Sequence, residues 1–249
     1  MGPPFSRGEA TYFWSANRNK RSVVLDLQNP DDAVIATELA ATADVVVENF
    51  RPGVADRLGL GYERVSALNP RTVYCSISAF GDSDAARDLA GYDLLVQAVG
   101  GLMSITGTQE SGPIKVGVAL VDVLAALHAA VGVLAALRHR DATGAGQRVD
   151  VTMLQSLLAS LANQATAFLG TGVSPKPMGN QHPSIAPYQT LQGSDGRLHS
   201  LAATTANFEI FATPWDSKPS PAMPDLSPTP NASSIARNSS HCWKRPQLA

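Results

Sequence analysis

Asp122 is the only acidic residue in a long apolar stretch, "KVGVALVDVLAALHAAVGVLAALRHR", which covers residues 115–140. An ionised carboxylate in apolar surroundings costs free energy unless something compensates it. One interpretation makes Asp122 the N-cap of a helix from Val123 to about Arg138, because Asp side chains accept the unpaired N–H groups of a first turn. The other makes Asp122 a nucleophile for acyl chemistry, which must be ionised to attack. The two are compatible, since a helix N-terminus favours negative charge.

Other residues with the chemistry for a site are few. Arg51 and Arg57 flank "PGVAD" in a loop that follows a predicted strand. Arginines and helix starts in such loops commonly bind phosphate, although a solvated surface arginine is the alternative. His128 lies six residues after Asp122, on roughly the opposite helix face, and is interpreted as structural. No Cys/His cluster has metal-ligand spacing and no Gly-Lys loop could cradle phosphate, so we predict no metal site.

The elements that must position these residues alternate between apolar β runs and helices, which is typical of a parallel sheet in an α/β domain. A helix-start signature follows the first run, with Asn29 as cap, Pro30 at the first helical position and two aspartates next. The predicted strands are 22–27, 44–50, 71–80 and one within 144–153; predicted helices include 30–43, short ones in 51–70, one near 92–99, the long one and 154–169; a hairpin turn is predicted at 193–196.

The apolar run at 116–137 is long enough to be weighed as a membrane span. It contains Asp122, His128 and two glycines, and it is richer in Ala and Val than in Leu, Ile and Phe. These features favour a buried helix of a soluble domain, so we predict no membrane partner.

Composition narrows the class of protein further. The 249 residues include 19 basic and 21 acidic side chains, and this balance, with no basic stripe, predicts no nucleic-acid partner. The two cysteines, Cys75 and Cys242, are far apart and form no disulfide framework. The first residues contain no apolar segment typical of a secretory signal. Together these features predict a protein of the reducing cytoplasm.

The C-terminal stretch differs from the rest of the chain. Seven prolines and seven serines fall between Pro214 and Ala249, without apolar periodicity. Such a composition cannot bury enough apolar surface to offset the entropy of ordering. We therefore predict a disordered tail over 207–249.

Several long motifs in one order resemble the class III CoA-transferase family, whose members include formyl-CoA transferase, carnitine CoA-transferase and, as a relative, α-methylacyl-CoA racemase. The resemblance covers about residues 8–206. It implies an incomplete Rossmann-like parallel sheet with helices, followed by the disordered tail. It also places Asp122 where the family has its acyl-accepting nucleophile. The motifs are "NRNKRSVVLDL", "ADVVVENFRPGVADRLGLGYERVSALNPRTVYCSISAFG", "GYDLLVQAVGGLMSITG", "KVGVALVD" and "TGAGQRVDVTMLQS".

The resemblance also implies contacts with coenzyme A (CoA). For the adenosine contacts the alternative is a plain strand end, and for the thioester contacts it is a helix cap beside a buried tyrosine. The implied residues are Asn49, Phe50, Arg51 and Arg57 for the CoA phosphates or ribose, Leu25, Asp26, Leu27 and Gln28 for adenosine, and Tyr92 and Asp93 near the thioester.

The activity implied by the resemblance is CoA transfer from an acyl-CoA to a free carboxylic acid, through an aspartyl anhydride and an aspartyl thioester. Acyl-CoA and a small acid are then substrates, with no tightly bound cofactor, in an interlocked homodimer. The alternative enzyme is an α-methylacyl-CoA racemase, which needs an acid/base pair about the α-carbon. The racemase pattern has His at the position of Tyr92, and neutral tyrosine is a poor general base near pH 7.

The chain departs from the family pattern at both ends. A strand–helix unit is expected before the point where "MGPPF" enters the pattern, and the pattern stops past Phe208. We therefore predict a fragment with a lead-in at 1–21, a partial family domain at 22–206 and a non-family tail at 207–249. A catalytically inactive remnant is the alternative to an active transferase.

Overall fold

The computed structural model describes residues 2–192 and 197–201. The described chain divides into two compact units. The first unit contains residues 2–92 and 122–156, and the second contains the described residues of 93–121 and 157–201.

A three-stranded parallel sheet forms the centre of the first unit, in the order β3 (Val45–Glu48), β4 (Val73–Ser78) and β5 (Arg148–Thr152). Val45 pairs with Val73, and Tyr74 pairs with Arg148. The parallel α/β architecture predicted from the alternating pattern is therefore confirmed. Because the strands are parallel, their carboxyl ends, and the loops that follow them, lie along one edge of the sheet.

Helix α2 (Pro30–Thr42) begins as predicted. The Asn29 side-chain oxygen accepts the Asp31 N–H at 2.9 Å, and Pro30 occupies the first turn, where its missing N–H is not needed. The remaining short elements of this unit are β1 (Phe5–Ser6), β2 (Glu9–Ala10), α1 (Thr11–Asn17), α3 (Val54–Arg57) and α4 (Tyr62–Leu68).

The central strand carries the core of this unit. Val73, Tyr74 and Cys75 are buried, and the Tyr74 ring meets Tyr62 edge-on with centroids 5.9 Å apart. The Tyr74 hydroxyl donates to the Leu60 carbonyl at 2.9 Å. Burial, reinforced by nearby carboxylates, raises the pKa of Tyr74 to about 12. Burial likewise raises the pKa of the Cys75 thiol.

Helix α7 (Leu120–Thr143) is the long helix predicted from the apolar run, and it starts three residues earlier than predicted. One side consists of small residues, of which Ala125, Ala129 and Ala136 are buried. A Cβ built on Gly132 would come within 2.8 Å of Val149 Cγ1, so the helix backbone lies close against β5.

The opposite side of α7 contradicts the prediction of a buried helix. Four large apolar side chains, each about one turn after the last, form an exposed stripe, and each is at least half exposed. Within the described chain, α7 is the one helix long and apolar enough to cross a membrane by length and composition, with a mean hydropathy of 2.2. Only 22% of the most apolar 18-residue stretch of this helix is buried. The stripe consists of Val123, Leu127, Val131 and Leu134.

The predicted buried strand at 22–27 is wrong. In the described chain this segment pairs with no strand, and Val24 is 93% exposed. An apolar run forms a buried strand only if a neighbouring strand takes up its backbone N–H and C=O groups. The second predicted strand, 44–50, is confirmed only at Val45–Glu48, and it is not buried. Its residues and those of α2 line an open groove of about 300 Å³.

The second unit contains short helices and a hairpin. The helix predicted at 154–169 is two helices, since the chain breaks at Ala162, whose φ is 42°. The hairpin strands pair antiparallel, from Tyr188 with Leu201 to Gln192 with Arg197. The elements are α5 (Asp93–Val99), α6 (Leu102–Ile105), α8 (Met153–Ser160), which starts in the first unit, α9 (Ala162–Thr171), β6 (Tyr188–Gln192) and β7 (Arg197–Leu201).

Two predictions fall outside the described residues. They are the hairpin turn at 193–196 and the disordered tail at 207–249. The division of the chain into lead-in, family domain and tail stays a prediction.

Candidate active site

Asp122 is the third residue of α7 and lies in its first turn. The prediction that Asp122 is the N-cap is therefore wrong. The physical reason is that another side chain supplies a partner there: Asp93 Oδ1 accepts the N–H of Val121 at 2.7 Å. Asp122 still lies among the N-terminal amides of a long helix, where the helix dipole favours a negative charge. An anionic nucleophile is compatible with this position.

Three of the predicted phosphate or ribose contacts, Asn49, Phe50 and Arg51, lie in the loop after β3, and the fourth, Arg57, is the last residue of α3, which follows that loop. Asn49 Nδ2 donates to the Ile77 carbonyl at 2.6 Å, which fastens the loop to the end of β4. Arg51 and Arg57 are both exposed, and neither forms an ion pair with any part of the chain that the structure describes. Two exposed arginine side chains without a salt bridge to the described residues therefore follow the carboxyl end of β3, an arrangement suited to phosphate.

Glu48, which no sequence motif indicated, shapes this loop. Glu48 Oε2 accepts the Phe50 N–H at 2.7 Å, and Glu48 Oε1 accepts a hydrogen bond from Ser76 Oγ. The strand register sets Glu48 beside Ser76 and Ser76 beside Asp150. A glutamate at the end of an apolar strand is a weak signal in sequence, because one of its partners, Ser76, lies 28 residues away along the chain.

The predicted adenosine contacts form a turn before α2. Leu25 and Leu27 are half-buried, whereas Asp26 and Gln28 are exposed. Asp26 Oδ1 accepts the Gln28 N–H at 3.0 Å, which is a turn stabilised by an aspartate side chain. The Asp26 N–H donates to Asp32 Oδ2 at 2.8 Å. This turn is separate along the chain from the β3 loop.

The predicted thioester contacts differ from each other in exposure. Tyr92 is 75% exposed, so the alternative of a buried tyrosine is wrong. Asp93 is half-buried and begins α5, and its carboxylate binds the residue that directly precedes Asp122. Its other oxygen, Oδ2, accepts from Gln97 Nε2 at 2.6 Å. Gln97, which sequence analysis did not single out, is buried.

Metal chemistry has no candidate ligands among residues 2–192 and 197–201. They contain no group of three or more His, Cys, Asp or Glu side chains that could hold an ion. What the described site offers is a carboxylate at a helix start and, at the edge of the sheet, a cationic loop.

The first unit is an α/β fold with a carboxylate at the start of its long helix. Comparison with known proteins identifies the family that has this arrangement. The sequence matches the CoA-transferase family III over residues 1–236, and the chain belongs to that family. This confirms the resemblance seen in its motifs.

Individual relatives agree with this assignment. The chain is 42% identical over 203 residues to a succinate–glutarate CoA-transferase of Agrobacterium fabrum, covering 79% of this chain and 51% of the relative. It is 39% identical over 193 residues to an acetyl-CoA:oxalate CoA-transferase of Acetobacter aceti, covering 77% of this chain and 50% of the relative. The chain thus spans about half the length of the curated relatives it matches.

The fold is shared with solved structures, one of which is a CAIB/BAIF family protein. A CAIB/BAIF family protein from Brucella suis superposes with a TM-score of 0.73 at 44% identity, covering 79% of this chain and 53% of the other. A hypothetical protein from Mycobacterium tuberculosis superposes with a TM-score of 0.69 at 30% identity, covering 78% and 51%. The family-type α/β fold is therefore confirmed.

Proposed function

We propose that this protein transfers CoA from an acyl-CoA to a free carboxylic acid, with Asp122 as the nucleophile. The observation that carries the proposal is the position of Asp122 in the first turn of α7, as the last residue of the family-type "KVGVALVD" segment. The names of the relatives support dicarboxylic acids as the substrate class, since they include succinate, glutarate, oxalate and mesaconate.

The reaction balances without ATP or an added redox partner. A carboxylate oxygen of Asp122 attacks the thioester carbon, the C–S bond breaks, and CoA leaves as the thiolate. The thiolate then attacks the aspartyl carbonyl of the mixed anhydride, which releases the donor acid and leaves an aspartyl-CoA thioester. The acceptor carboxylate repeats these two steps in reverse order, which regenerates the Asp122 carboxylate and gives the new acyl-CoA. Water must be excluded throughout, because anhydrides hydrolyse.

The residues that would bind CoA include the two arginines that follow β3. Arg51 and Arg57 would neutralise the phosphates of CoA, and Asn49 and Glu48 would hold the loop in place through their bonds to β4 and to Phe50. The turn from Leu25 to Gln28 would contact the adenosine, and Tyr92 and Asp93 would lie near the thioester. CoA is then a substrate, and the mechanism needs no tightly bound cofactor.

We further place the protein in the cytoplasm as a homodimer. The exposed stripe of α7 supports association through a protein surface, because contiguous exposed apolar side chains mark interaction sites. The small number of cysteines, which lie far apart in the sequence, supports the cytoplasm. Cell fractionation tests the location, and recovery of the native chain in the membrane pellet would contradict it.

The test of function uses the 249-residue chain with succinyl-CoA and glutarate. We expect glutaryl-CoA to form, as measured by liquid chromatography, and Asp122→Asn to lower the rate at least about 10³-fold, since the amide cannot form the anhydride. Circular dichroism checks that the variant is folded, since losing one charge in the first turn of a helix is expected to cost at most about 1 kcal/mol. Loss of chirality in a 2-methylacyl-CoA without CoA exchange would favour a racemase. A folded wild-type chain with neither activity would favour an inactive remnant.

A further inference from the structure

A partly buried series of hydrogen bonds, centred on Gln97, holds the segment that leads into α7. Gln97 is fully buried, and its Oε1 accepts the Val116 N–H at 2.9 Å. Its Nε2 donates to Asp93 Oδ2 at 2.6 Å, and Asp93 Oδ1 accepts the Val121 N–H at 2.7 Å. The two side chains therefore fasten both ends of the segment from Val116 to Val121.

These hydrogen bonds require a glutamine at position 97. The side chain must present an acceptor to a backbone N–H and a donor to a carboxylate, and a primary amide does both. Leucine would fill the space but remove the bonds from Gln97 to the partly buried Val116 N–H and to the Asp93 carboxylate, which is costly. Glutamate would keep the shape but bring a second carboxylate against Asp93.

We infer that Gln97 is a positioning residue. Through Asp93 and Val116 it fixes where α7 begins, and so it sets the place of Asp122, which follows Val121 in the helix. The effect of Gln97 on catalysis rests on the proposed function. If Asp122 is the nucleophile, a small displacement of its carboxylate slows its attack. Gln97 itself does not touch the reacting atoms in this account.

The first experiment measures hydrogen exchange in the whole 249-residue chain, so it does not depend on activity. We expect Gln97→Leu and Gln97→Glu each to speed amide exchange of the 114–122 peptide by about tenfold or more. Val96→Ala is the matched control, because Val96 is equally buried on the same helix but makes no hydrogen bond through its side chain. It should lower global stability without this local effect.

The second experiment separates positioning from general stability. The rate of Asp122 acylation by succinyl-CoA is measured per folded molecule, together with the Kd for CoA. We expect both Gln97 variants to acylate at least about tenfold more slowly with an unchanged Kd, and Val96→Ala to match the wild type.

Each outcome decides a different claim. Unchanged exchange at 114–122 in both Gln97 variants would overturn the inference outright. Faster exchange with wild-type acylation would overturn the positioning role. If the wild-type chain forms no acyl adduct, the proposed function fails, and the exchange comparison alone decides whether Gln97 fixes the start of α7.

Discussion

The two long sides of α7 repeat at the same helical spacing but use different side chains. The side toward the sheet has small residues, and Gly132 lets the backbone approach Val149 closely. The other side has large apolar residues that stand exposed. Volume therefore limits what the inward side accepts, since packed interiors tolerate little added volume. On the outward side, exposure to water and contacts with other molecules decide which side chains are favourable, and added volume matters little. The inward residues are Ala125, Ala129, Gly132 and Ala136; the outward ones are Val123, Leu127, Val131 and Leu134.

The largest effect on stability is expected where volume is added to the inward side. Ala136 is completely buried, so Ala136→Leu should lower the free energy of unfolding by about 1–3 kcal/mol. The matched control is Ala135→Leu, one residue away on the exposed surface, which should change it by less than about 0.5 kcal/mol. Urea denaturation measures both. Equal effects of the two substitutions would remove the distinction between the two sides.

A second, somewhat smaller loss of stability is expected at alkaline pH, and it tests whether Tyr74 is buried in the sheet. The pKa of Tyr74 is about 12 in the folded protein and near 10 when unfolded, so the unfolded chain loses this proton first. The contribution of the neutral Tyr74 to the free energy of unfolding is fully present below pH 10 and is lost as pH rises to about 12. This loss lowers the free energy of unfolding by roughly 2 kcal/mol.

Unfolding curves across this range check the alkaline prediction. The difference in stability between the wild type and Tyr74→Phe should shrink as pH rises from about 10 to 12, because phenylalanine cannot ionise. A difference that stays constant over that range would show that Tyr74 is not held in its neutral form by the fold.

The smallest effect on stability is expected on the outward side. The double variant Leu127→Gln, Leu134→Gln should change the unfolding free energy of the dilute chain by less than about 0.5 kcal/mol per site. It should nevertheless weaken self-association by about tenfold, measured by sedimentation over a range of concentrations. Unchanged self-association would mean that this stripe is not the dimer surface.

Local signals predicted the parts of the fold that depend on local physics. Asn29, Pro30 and the aspartates after them specify the start of α2 through caps and backbone limits that act within one turn. The apolar run around Val73 to Cys75 predicted the central strand, because this strand has a neighbour on both sides and is buried at its start.

The errors arose where the partner is distant along the chain. The segment 22–27 has the composition of a buried strand, but periodicity cannot tell whether a neighbouring strand is present. Asp122 has the residue type of an N-cap, yet the Val121 N–H is bound by Asp93, which lies 28 residues earlier. Gln97 and Glu48 escaped notice for the same reason, since their bonds reach residues 19 and 28 positions away.

The family motifs predicted more of the candidate site than local rules did. They singled out Asp122, the β3 loop and Asp93 together, because long ordered motifs carry information about distant contacts that propensities lack. They did not indicate that the carboxylate of Asp93 accepts the Val121 N–H in the segment leading to Asp122, a contact between α5 and α7 that only the three-dimensional structure shows.

Trapping the acyl group on the protein tests the central claim most directly. The chain is mixed with succinyl-CoA, treated with hydroxylamine, digested and analysed by mass spectrometry. An anhydride or thioester on Asp122 should give a hydroxamate at that residue, and Asp122→Asn should give none. A hydroxamate at another residue, or equal labelling of the Asn variant, would contradict the account of Asp122 as the nucleophile.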